Sequence, residues 1–153
     1  MRSHVNAFAA TTAAAAVVAG AFGLGRASVL RSAPVELSNG STIEHDSLVA
    51  KTEAGPHNGG GQTTGYSFFT KSKDLPMVFR KRALHPGSAI GHHTQKEDEI
   101  YYVLSGQGDL TLDGVRSTVG PGTAILTRIG SSHSIKPAGD KDLVLIITYP
   151  SGR

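Results

Sequence analysis

The chain has 153 residues, a length that suits one hydrophobic core and is short for two. Its 15 basic and 12 acidic residues suggest a mildly basic protein, but Arg2, Arg26 and Arg31 all precede Glu36, and without those three, 12 basic residues face 12 acidic ones. A formally neutral body offers no clustered basic face for phosphate, so nucleic acid is not an expected partner, and the absence of cysteine excludes thiol catalysis, iron–sulfur ligation, thiolate zinc sites and disulfides.

Residues 1–33 read as a secretory leader. A short basic start precedes an uncharged Ala/Val/Gly run from Ala7 to Gly25, followed by small residues suited to cleavage. Export to the periplasm or medium is the expectation, with a membrane tether or a cytoplasmic protein as alternatives. The run leans on Ala, Gly and Thr, whereas a spanning helix wants about 20 strongly apolar residues. No later segment suits a crossing, so no stable membrane insertion is expected once the leader is removed.

Residues 34–65 are polar and glycine-rich. "GPHNGGGQTTG" is the least structured part by composition, and a flexible surface loop is the plain expectation. From Tyr66 to the end, residues 66–153, the pattern becomes one of short β-type runs: "GYSFFT", "MVFRKRAL", "EIYYVLS", "GDLTLD", "VRSTV", "TAILT", "SHSIK" and "LVLIITY". Eight strands punctuated by Gly, Pro or Asp turns argue for an all-β sandwich or barrel with little helix. Asp113-Gly114 is a strong hairpin signal, because both residues tolerate the positive φ of a type I′ turn. "LVLIITY" is apolar at nearly every position, so both its faces should be covered. A small barrel buries only the inner one, and a homodimer is expected to shield the other.

The stretch "HPGSAIGHHTQKEDEIYYVLSGQG", His85 to Gly108, carries more polar groups than a scaffold strand needs. In a strand, residues two apart stand roughly 7 Å from each other on one face. His93 and Gln95 therefore share a face opposite to His92 and Thr94, and Glu99 and Tyr101 keep the parity of His93 if no bulge intervenes. A shifted register that puts His92 in the site stays open, since bulges near active sites change parity. His133 is the candidate for a further contributor from elsewhere.

These residues resemble the two motifs of the cupin superfamily, G(X)5HXH(X)3-4E(X)6G and G(X)5PXG(X)2H(X)3N. The first runs from Gly87 through His93, Gln95 and Glu99 to Gly106, with every spacing kept and the second histidine replaced by Gln95. The second runs from Gly122 through Arg128 and Gly130 to His133, with Pro137 at the closing asparagine position. The resemblance implies a small single-domain jelly-roll β-barrel of roughly eight antiparallel strands that holds one divalent metal through His93, Gln95, Glu99 and His133. A mixed nitrogen and oxygen set of that kind suits Mn²⁺ or Fe²⁺ and admits Zn²⁺ or Ni²⁺.

Arg80 and Arg82 share a face on the preceding strand. If that face lines the barrel, their guanidinium groups can hold a substrate carboxylate or phosphate; if it faces outward they are solubilising charges. Tyr101 is a candidate donor from the barrel wall, with a packing role as the plainer reading. Two functional classes follow: a metal-dependent enzyme acting on a small oxygen-rich or carboxylate-bearing molecule by oxidation, isomerisation, elimination or decarboxylation, or a binding module that holds a metal or small ligand without turnover.

Overall fold

A computed structural model describes residues 33–152. Apart from its last residue, the leader-like segment lies outside the described residues. Within them the chain is all-β, with a single four-residue helix, α1 (Asp46–Val49), and no helix long and apolar enough to cross a membrane.

Two short strands, β1 (Val35–Glu36) and β2 (Thr42–Ile43), pair with each other at the start. The body follows as β3 (Ala50–Ala54), β4 (Gln62–Phe68), β5 (Met77–Leu84), β6 (Ile90–Thr94), β7 (Glu99–Ser105), β8 (Gly108–Leu112), β9 (Val115–Val119), β10 (Ala124–Thr127), β11 (Ser132–Pro137) and β12 (Leu143–Pro150). These strands form two antiparallel sheets in a jelly-roll arrangement: a six-stranded sheet in the order β10-β7-β12-β5-β4-β3 and a four-stranded sheet in the order β6-β11-β8-β9. The hairpin at Asp113-Gly114 forms as its residues dictate, with φ of 47° and 80° and Leu112 facing Val115.

The core follows from two-residue alternation on strands of both sheets. Leu143, Leu145 and Ile147 on β12 are buried, as are Tyr101 and Val103 on β7, Leu110 on β8 and Ile135 on β11. On β12 the intervening Val144, Ile146 and Thr148 are half-buried. Their neighbours Ile100, Tyr102 and Leu104 on β7 and Leu126 on β10 are exposed, so the outer face of the six-stranded sheet carries an apolar stripe.

The glycine-rich segment departs from the loop expectation. It contributes β3 and β4 to the sheet edge, with Ala50 to Ala54 registered on Tyr66 to Gln62, and residues 55–61 turn back onto β6. Gly91 donates its backbone N–H to the Pro56 carbonyl at 2.9 Å. A Cβ on Gly59 would stand 1.9 Å from the Ala89 carbonyl oxygen, and one on Gly91 would stand 2.0 Å from that of His57. Glycine is required here for close main-chain approach, a demand that composition cannot distinguish from flexibility.

Candidate metal centre

His93 and His133 are direct cross-strand partners on β6 and β11. Their rings lie 4.3 Å apart between centroids. Glu99 begins β7 in the opposite sheet, and its Oε2 is 3.8 Å from His133 Nε2. Potential ligand atoms of His93, Glu99 and His133 all lie within 4.8 Å of one another. The cluster therefore spans the two sheets, with both imidazoles from one layer and the carboxylate from the other. His92 is exposed on the outer side of β6, the parity expected when His93 is the inward residue.

Each side chain is oriented by a neighbour. His93 Nδ1 is 2.8 Å from the Gly91 carbonyl; a carbonyl only accepts, so Nδ1 carries the proton and Nε2 is left with a free lone pair. Tyr101 Oη is 2.8 Å from His133 Nε2, while His133 Nδ1 is buried with no partner. Gln95 lies just beyond β6 and turns its amide nitrogen toward Glu99, with a second contact to Thr127 Oγ1 at 3.2 Å. Gln95 thus joins the cluster through a hydrogen bond to the carboxylate.

Burial sets the protonation pattern. It pushes His133 down to about 4, helped by the neighbouring imidazoles of His93 and His57, and holds the ring neutral, the form that donates a lone pair to a metal. Glu99 is pushed up by burial against the opposing hydrogen bonds of Tyr101 and Gln95. The Tyr101 phenol is pushed far above its ordinary range by burial and then by the Glu99 charge, so it stays protonated. Two imidazoles, one of them with an orphaned buried ring nitrogen, and a carboxylate form a donor set compatible with a divalent metal.

A cavity of about 410 Å³ opens on this cluster, lined by His93, Gln95 and Glu99 together with Arg80, Arg82 and His57. The two arginines differ. Arg82 is buried and paired, donating to Glu53 Oε2 at 2.8 Å and to Thr63 Oγ1 at 2.6 Å. Arg80 is 3.7 Å from the same carboxylate and keeps a buried Nε–H with no partner. A wider cleft of about 660 Å³ lies along Asp109, Arg116 and Lys136 and includes none of the cluster residues.

His57 is the residue that sequence reasoning passed over. Its ring stacks on His93 at 3.5 Å between centroids with planes 4° apart. Burial and the adjacent His93 push its pKa down. No motif signals it, because it belongs to a loop whose position depends on backbone contacts.

Two jelly-roll sheets with a histidine and carboxylate cluster between them go with a match of residues 81–149 to the cupin domain family. Among known proteins, the oxalate-binding protein of Thermotoga maritima is 39% identical over 67 residues, 43% of this chain and 55% of that protein. The match thus spans about half the length of that relative. A T. maritima crystal structure described as a predicted oxalate decarboxylase superposes with a TM-score of 0.65 at 26% identity, covering 71% of this chain and 97% of the other. The polyketide cyclase RemF of Streptomyces resistomycificus shares the fold, with a TM-score of 0.61 at 24% identity over 72% and 80% of the two chains.

Proposed function

We propose that this protein is a divalent-metal-dependent cupin enzyme acting on a small carboxylate-bearing molecule. His93, Glu99 and His133 would hold the ion, and Gln95 would orient Glu99. The carrying observation is the convergence of two imidazoles and a carboxylate within 4.8 Å at the edge of a cavity that also presents Arg80. Hard carboxylate oxygen beside two imidazoles suits Mn²⁺ or Fe²⁺, with Zn²⁺ or Ni²⁺ as the other candidates. When bound, the metal supplies Lewis-acid polarisation of a chelated oxygen. Arg80, which lines the cavity, would meet the substrate's second anionic group, Arg82 stays committed to Glu53, and Tyr101 holds a proton on the wall. The oxalate-binding relative supports a small dicarboxylate as the ligand class.

Reading the same site as a binding module is favoured by one observation: the second imidazole of the HXH motif is Gln95. Elemental analysis of the full chain purified without chelator tests the metal, and incubation of metal-loaded protein with oxalate, followed by product detection, separates turnover from binding. His133→Ala and Glu99→Ala are expected to lose most bound metal. Full occupancy in both variants refutes the site.

We also propose that a second copy of this chain covers the stripe of Ile100, Tyr102, Leu104 and Leu126, since exposed apolar patches of this kind mark interfaces. Light scattering at micromolar concentration checks it: a dimer mass is expected for the parent chain and a monomer mass for Leu104→Lys. Export is proposed on the leader alone, with a mature N-terminus between Gly23 and Pro34 in exported material; an intact leader on soluble cytoplasmic protein would contradict it.

A further inference from the structure

The motif position that carries a second imidazole is Gln95, and the Gln95 amide is engaged with Glu99 and Thr127. The cavity is nonetheless lined by two histidines, His93 and His57. His57 enters from outside the motif, on the loop between β3 and β4. Three imidazoles therefore run in contact from the cavity inward: His57 on His93 at 3.5 Å, and His93 beside His133 at 4.3 Å.

The position of His57 is built. Its backbone sits at φ 53°, in the left-handed region that a histidine adopts at a cost. The loop is fixed on β6 by the hydrogen bond from Gly91 to Pro56 and by the main-chain approaches that only Gly59 and Gly91 permit. A strained residue on a braced loop, with its ring against a candidate ligand, is a local arrangement that packing alone does not call for.

We infer that His57 is the third imidazole of the metal centre, supplying from the loop over β6 the ligand that Gln95 does not. The ring lies beside the three-residue cluster, stacked on His93 but outside the group whose donor atoms lie within 4.8 Å of one another, so coordination requires it to leave the stack and turn a nitrogen toward the cluster. The ligand set becomes His57, His93, Glu99 and His133, with Gln95 as the positioning residue for the carboxylate. Three nitrogens and one oxygen also make the site harder to strip than two and one. The inference rests on the metal-binding reading above.

The test uses the full chain and Cu²⁺ as a spectroscopic probe, added below one equivalent so that only the tightest site fills. Pulsed EPR counts the coordinated imidazoles through their remote nitrogens. Three are expected in the parent chain and two in His57→Asn, a substitution that keeps a residue tolerant of positive φ. Cu²⁺ affinity should fall at least about tenfold in the variant, and His57→Gly, equally compatible with the backbone, should match it. Adding Gln95→His to His57→Asn should return the count to three. A parent count of two, or a count unchanged by His57→Asn even where affinity drops, overturns the assignment while leaving His93, Glu99 and His133 in place. Failure of the metal-binding reading looks different, because the parent chain and His133→Ala would then give the same spectrum.

Discussion

Removing the Glu53 carboxylate should destabilise the fold through Arg82. The guanidinium has a side chain only 5% exposed and meets Glu53 Oε2 at 2.8 Å, with Thr63 Oγ1 as its other partner. Leaving a fully buried charge without its partner costs about 3–5 kcal/mol. Glu53 is itself 29% exposed, so water partly screens the pair, and Thr63 stays in place; the expected loss for Glu53→Ala is therefore ~2 kcal/mol. For a domain of this size that lowers Tm by roughly 6–10 °C. Urea unfolding with an unchanged m-value measures it. Arg82→Met in the Glu53→Ala background removes the stranded charge and fills its space with apolar atoms, so it should recover about half of the loss or more. A loss below about 0.5 kcal/mol in the single variant, or no recovery in the double, would show that Arg82 is not held by this pair and would return it to the pool of free cationic groups in the cavity.

Three further outcomes are expected. In chelator-treated protein, His133 titrates near 4 when folded and near its ordinary 6.5 when unfolded; the unfolded chain binds the proton first, so this contribution is complete above pH 6.5 and is lost as pH falls toward 4. Relative to His133→Gln, stability of the parent chain should drop by up to ~3 kcal/mol across that window, and parallel curves would refute it; the raised Glu99 pKa works in the opposite direction at the acidic end and is common to both proteins. Gly59→Ala should weaken the loop and β6 together, since its Cβ has no room beside Ala89; amide exchange at Gly91, whose N–H is bonded to Pro56, should be faster in the variant than in the parent chain, and equal exchange would contradict the packing. Tyr101→Phe removes the hydroxyl partner of a buried ring nitrogen and should cost about 1–2 kcal/mol by urea unfolding, with a neutral result arguing that His133 finds another partner.

Much of the fold was legible where local chemistry decides it. The runs read as β5, β7 and β9 have the bounds found, because β-branched and aromatic residues between turn formers leave few alternatives. Strand alternation set His93 apart from His92 with a shifted register left open, and the fixed spacings pointed to His133, while Glu99 and Tyr101 stand on the sheet facing His93. Other features escaped. The strand β6 was missing from the eight runs, because its residues are polar, although His93 and Gln95 were read as sharing a strand face; β3 was hidden because Ala50 to Ala54 gain their strand character from pairing with β4. Arg80 and Arg82 were indistinguishable in sequence, since the difference between them is a distance to Glu53. His57 was out of reach for the same reason: its place depends on which carbonyls stand where a Cβ would go.

The strap of residues 55–61 meets β6 main chain to main chain, and this has a consequence for how the site can vary. The seam is made of peptide groups and requires glycine at positions 59 and 91, but among residues that tolerate positive φ the side chain at position 57 can change while the seam stays closed. The barrel motifs fix one set of donors through strand register. The strap adds a donor whose chemistry is independent of that register. Exchange of a single residue, on a loop that the core does not read, could therefore retune the donor set and the anion preference of the cavity without repacking either sheet.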